Sequence, residues 1–118
     1  KDPTRGGLSS ALHEMADKSH VGIVVDETAV PLRDEVRAVG ELLGIDPLVS
    51  ANEGKAVLGL KPGVAAAVLD AVRSHPLGRE AAIVGECVEE RPGFVVLDTG
   101  FGSRLLSEPE GELLPRIC

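Results

Sequence analysis

The final residue, Cys118, is a thiol at the end of a segment that carries Pro109, Gly111 and Pro115. A thiol on a mobile arm suits a carrier. The terminal carboxylate disfavours the thiolate, and Arg116 two residues earlier favours it. A prenylation signal would place the cysteine fourth from the end, so lipid anchoring is excluded. The competing reading is an incidental tail. Cys87 differs, because it falls in an apolar strand pattern, where a free thiol is expected to be a buried and inert small hydrophobe.

Two further stretches could do chemistry. Asp2-Pro3-Thr4-Arg5-Gly6-Gly7 runs straight into a helix. Its glycines permit close backbone approach, the helix N-terminus attracts an anion such as a phosphate, and Arg5 adds a charge-assisted contact. The spacing is neither a Walker A loop nor GxGxxG, so a plain helix-entry turn is the alternative. In Ala51-Asn52-Glu53-Gly54 an acid and an amide stand on a turn. In a cleft Glu53 could serve as general base, whereas an exposed loop glutamate would do nothing of the kind. His13, His20 and His75 lack metal-ligand spacing, so no metal site is expected, and His75 reads as serving a helix C-terminus.

These residues need a scaffold. The chain of 118 residues is expected to form a domain over residues 1–106 and a mobile tail over 107–118. Its start, without Met and just before a working loop, reads as that of a fragment. With Phe94 and Phe101 the only aromatics, the core must be built from Val, Leu, Ile and Ala. A net charge of −7 argues against nucleic acid, and no apolar run is long enough to span a bilayer. Two cysteines and no signal segment point to a reducing, cytoplasmic setting.

Helical spacing of Leu8, Ala11, Leu12, Met15 and Ala16 predicts a helix ending near Ser19. Residues 21–26 read as a strand, and Val36, Val39, Leu42 and Leu43 as a second helix closed by Gly44. A short helical turn is expected within 45–54 and a strand over 55–61. Pro62 starts a third helix with Val64, Ala67, Val68, Ala71 and Val72 as its apolar face. Residues 81–88 and 94–98 read as strands of a hairpin, with another strand over 101–106. The fold class is α/β or α+β, a mixed sheet with helices packed on it.

Taken together, Asp2–Gly7, Ala51–Gly54, His75-Pro76-Leu77-Gly78 and the closing Pro115-Arg116-Ile117-Cys118 resemble the HypE family of hydrogenase maturation proteins across the whole chain. That family sits among the aminoimidazole ribonucleotide synthetase-like enzymes. The resemblance implies the C-terminal domain of such an enzyme, a three-layer α/β/α arrangement with a flexible tail. It implies a carbamoyl dehydratase: the transferase HypF loads a carbamoyl group on Cys118, and ATP with Mg2+ drives its conversion to thiocyanate. The cyanide then passes to iron held by HypC and HypD.

By the same resemblance Cys118 and Glu53 are catalytic, Asn52 orients the amide, and Asp2, Thr4, Arg5, Gly6 and Gly7 lie near the ATP phosphates or the path of the tail. The magnesium carboxylates belong to a missing domain, so the chain alone is expected to be inactive and to bind no cofactor tightly. A homodimer is implied for the full-length protein. Two alternatives are a domain of a related ATP-dependent synthetase or kinase, and a non-catalytic docking module.

Overall fold

The computed structural model describes residues 1–108. Residues 109–118, which include Cys118 and most of the expected tail, lie outside them. Helix α1 (Gly7–Ser19) buries Ser9, Ala11, Leu12 and Ala16 along one face. It stops where His20 enters the left-handed region at φ 53°, its N–H returning to the carbonyls of Ala16 and Asp17. That reversal feeds directly into β1 (Gly22–Asp26), whose Ile23 and Val25 point into the core.

A 3-10 turn at Glu27–Ala29 leads to α2 (Asp34–Leu43), closed by a left-handed Gly44. A second turn at Pro47–Val49 sends Leu48 into the core. Helix α3 (Pro62–Arg73) then precedes β2 (Gly85–Val88), β3 (Val95–Asp98) and β4 (Ser103–Leu105). The sheet order is β2-β1-β3-β4, with β1 antiparallel to β2 and parallel to β3, and β3 antiparallel to β4. This is the expected mixed α/β architecture.

The parallel register sets Ile23 beside Val95 and Val25 beside Leu97. These four side chains form one apolar face, covered by Leu12 and Ala16 of α1 and bordered by Leu48 and Leu106. Period-2 alternation in the strands and 3.6-residue periodicity in the helix thus meet on a single surface. No aromatic takes part.

Four expectations need correction. The segment 89–94 is not a hairpin, because β1 occupies the slot between β2 and β3. It passes instead across the start of β1, with Arg91 and Gly93 at positive φ and the Gly93 N–H donating to the Val21 carbonyl. This crossing needs Gly22: a Cβ there would lie 2.1 Å from the Glu90 carbonyl oxygen.

Residues 55–61 are not a strand. Val57 exchanges backbone hydrogen bonds with Lys1, but the segment joins no ladder of the described sheet. The half-buried face of α3 is Ala65, Val68, Leu69 and Val72, so Val64, Ala67 and Ala71 are exposed. Finally, Cys87 is exposed rather than buried, because β2 is an edge strand whose pairing with Ile23 carries it past the cover of α1.

Leu97 is fully buried and Leu77 is 93% exposed. Leu97→Ala is expected to destabilise the chain by about 2–5 kcal/mol in urea unfolding, and Leu77→Ala by less than about 0.5 kcal/mol. Equal losses would contradict the placement of the core.

Candidate functional site

The two loops singled out from sequence meet. The Asn52 N–H donates to the Pro3 carbonyl at 2.9 Å, and the Val57 N–H to the Lys1 carbonyl at 2.7 Å, while the Lys1 nitrogen donates to the Val57 carbonyl. Residues 1–3 therefore lie alongside 52–57. Gly6 and Gly7, both buried and left-handed at φ 65° and 66°, turn the chain from this pairing into α1.

Gly7 also sets how close α1 comes to the second loop. A Cβ on it would lie 2.4 Å from the Ser50 carbonyl oxygen and 2.7 Å from that of Leu48. Only glycine fits both that gap and that φ.

The N-terminus of α1 has no side-chain cap and no acidic residue in its first turn. Arg5, exposed, stands just before it. Cationic side chain, helix dipole and uncapped amides are a donor set that fits an anion. Asp2 instead accepts from the hydroxyl and the N–H of Thr4. Those two bonds hold its carboxyl below the usual carboxylate range. Asp2 and Thr4 thus brace the loop as an Asx-type turn.

Asn52 is half-buried, and its side-chain oxygen accepts from Lys55 Nζ at 2.6 Å. That bond fixes the amide plane and turns its NH2 group away from Lys55. Glu53 is exposed beside it. Within the described residues the acid and the amide therefore stand on an open turn next to the glycine loop, not in the cleft that general-base work requires. Among the described residues no group of three or more His, Cys, Asp or Glu side chains is placed to hold a metal ion.

His75 caps not the end of α3 but the following turn, its Nδ1 accepting from the Leu77 N–H at 3.1 Å. His13 donates from Nδ1 to the Ser9 carbonyl at 2.8 Å. Sequence reasoning passed over two other groups. Lys1 and Lys18 both reach Glu14, with Lys18 at 2.6 Å, which ties the first loop to α1. Ser9 is completely buried and donates to the Ser107 carbonyl at 2.7 Å. Its spacing with Leu12 and Ala16 was the available signal, since all three share the inner helical face.

Known proteins are similar to this chain in sequence and in fold. The family model described as AIR synthase related protein, C-terminal domain, matches residues 1–98. Carbamoyl dehydratase HypE of Rhizobium leguminosarum bv. viciae is 50% identical over 119 residues, covering all of this chain and 34% of the relative. A crystal structure of hydrogenase maturation protein HypE in complex with ATP matches with a TM-score of 0.89 and 45% identity, over 100% of this chain and 37% of that one. The crystal structure of a HypE–HypF complex matches with a TM-score of 0.87 and 37% identity, over 92% of this chain and 35% of that one. The chain spans about a third of the length of the curated relatives it matches.

Gly7→Ala is expected to cost more than about 2 kcal/mol in chemical denaturation, since a clash adds to backbone strain. Gly54→Ala, at φ 71° with nothing within 4 Å of the new Cβ, should cost only about 1–2 kcal/mol. Equal costs would mean that α1 does not depend on its approach to Ser50.

A second prediction concerns acid. Hydrogen bonds from Lys1 and then Lys18 push the Glu14 carboxyl down to about 2 from an ordinary value of 4.5. A depressed carboxylate contributes stability that is complete above its unfolded value and is lost as pH falls through its folded value. Solvent screening keeps this contribution small. Glu14→Gln should flatten the acid-unfolding curve between pH 4.5 and 2; curves that run parallel in that window by circular dichroism would remove Glu14 as an acid-labile tie.

Proposed function

The chain belongs to the AIR synthase related protein C-terminal domain family, and we propose that it is the C-terminal third of a carbamoyl dehydratase of the HypE kind. Residues 1–106 are then the synthetase-like domain and 107–118 the arm that delivers Cys118. The observation that carries this reading is the backbone bond from Asn52 to Pro3. It sets an acid–amide turn beside an anion-suited helix N-terminus in a chain 50% identical to a named carbamoyl dehydratase.

In this reading Cys118 receives a carbamoyl group on sulfur, giving a thiocarboxamide. An amide oxygen is a poor leaving group, and phosphoryl transfer from ATP makes it a good one. Arg5 and the amides at the start of α1 would hold phosphate oxygens, with Asp2 and Thr4 stiffening the loop and Gly6 and Gly7 letting it approach. Glu53, exposed within residues 1–108, takes the amide protons on the reading that the rest of the protein walls its turn into a cleft, and the Asn52 NH2 group orients the substrate. Loss of two protons and phosphate leaves the thiocyanate on sulfur; its passage to iron as cyanide, with return of the Cys118 thiolate, takes two electrons that the iron-carrying acceptor has to supply. The ATP complex of a HypE at 45% identity supports the nucleotide assignment.

Partner assignments follow from the same reading. HypF loads the carbamoyl group, which the HypE–HypF complex of a relative supports. HypC and HypD carry the iron that takes the cyanide. Mg2+ accompanies ATP through carboxylates of the rest of the protein, which works as a homodimer in the cytoplasm. Among the described residues no helix is long and apolar enough to cross a membrane. The chain by itself is expected to turn over no ATP.

The test is the mass of the Cys118 peptide from the full-length protein after incubation with the carbamoyltransferase, carbamoyl phosphate and ATP. A carbamoyl adduct that converts to a cyano adduct is expected, and Cys118→Ser should abolish both. Glu53→Gln should leave the first adduct intact and slow the second step at least about 100-fold. An unmodified peptide, with the transferase active on another acceptor, would overturn the assignment.

A further inference from the structure

Among the described residues Ser9 is the one polar side chain that is fully buried. Its hydroxyl proton is committed, donated at 2.7 Å to the carbonyl of Ser107, ninety-eight residues away in sequence. Immediately before that carbonyl, Leu106 is 3% exposed and its N–H donates to the Val95 carbonyl at 2.8 Å. The chain is thus pinned at two successive residues, once to the central sheet and once to the first turn of α1. The Ser9 oxygen also lies 3.4 Å from His13 Nδ1, whose shorter bond goes to the Ser9 carbonyl at 2.8 Å, so the hydroxyl's close partner is Ser107.

Its position is what links it to chemistry. Ser9 stands two residues along α1 from Gly7, whose backbone abuts Ser50 in the turn leading to Asn52 and Glu53. Eleven residues follow Ser107 before the sequence ends at Cys118. Such a length reaches at most about 38 Å when fully extended. Where it starts and in which direction it sets out therefore decide how often its end meets a given site.

We propose that Ser9 is a positioning residue: by holding the Ser107 carbonyl it fixes the point beside the α1 N-terminus from which the chain sets out toward Cys118. The inference rests on the carbamoyl dehydratase reading above and adds to it the group that aims the arm. Loss of the hydroxyl would shift the pivot back only to Leu106. The effect is directional, because an unheld Ser107 carbonyl frees a backbone dihedral that the bond now restricts.

Ser9→Ala in the full-length protein is expected to slow single-turnover dehydration of preloaded Cys118 about five- to tenfold. Carbamoyl loading and ATP affinity should stay within about twofold, since neither needs the arm aimed inward. Ser9→Thr, which keeps the donor, should restore the rate. Amide hydrogen exchange at Leu106 should quicken in Ser9→Ala while that of Val25 and Leu97 stays protected.

Dehydration at the wild-type rate, or unchanged exchange at Leu106, would overturn the proposal. So would a fall in ATP affinity that matches the fall in rate, which would assign Ser9 to holding the fold. Should Ser9→Thr not fold, the Leu106 exchange and the ATP affinity of Ser9→Ala still decide. A wild-type protein that loads and never dehydrates would instead refute the dehydratase reading, and the role in turnover would fall with it. Exchange at Leu106 would then still report whether Ser9 holds Ser107.

Discussion

Strand β1 is paired on both sides, to β2 through the Gly22–Val88 register and to β3 through Ile23–Val95. Its inner side chains, with Val95 and Leu97, are the floor on which α1 lies. The helix and the strand are separated only by the left-handed turn at His20, so burying one fixes the direction of the other. Because α1 begins at Gly7, that burial also fixes where the glycine loop ends. The apolar floor thereby determines the position of polar residues that never touch it.

From that floor the site is assembled by backbone groups more than by side chains. Pro3 and Asn52, Lys1 and Val57, and the close approach of Gly7 to Ser50 hold the two loops together. Backbone pairing is indifferent to side-chain identity, so it leaves the residue types at positions 5, 52 and 53 undetermined. The side-chain bonds that do occur, from Thr4 to Asp2 and from Lys55 to Asn52, stiffen the loops locally. The long-range side-chain bond of Ser9 to Ser107 applies the same economy to the far end of the chain.

Helices were legible because their signals are local. The spacing of Leu8, Leu12 and Ala16, the proline at position 62 and the glycine at 44 each act within one or two turns of backbone, and α1, α2 and α3 formed where those signals placed them. Strand character was less legible, since a strand exists only with a lateral partner. Residues 55–61 have the composition of one yet join no ladder of the described sheet, and the turn-rich segment 89–94 looks like a hairpin yet crosses the end of β1. Cys87 was misread for the same reason, as its exposure depends on β2 being an edge.

The sequence by itself determined the kinds of residue available for chemistry: an anion-suited turn at Arg5, Gly6 and Gly7, an acid and an amide at 52–53, and a thiol at 118. It also determined an apolar supply sufficient for a core without aromatics. Only the tertiary structure decided that the two loops lie side by side, that Gly7 and Gly22 are dictated by the carbonyls they face, and that Ser9 reaches Ser107. The physical reason is range. Propensity and periodicity act over a few residues, whereas closing the gap of roughly fifty residues between the loops requires the burial energy of the whole α1–β1–β3 core.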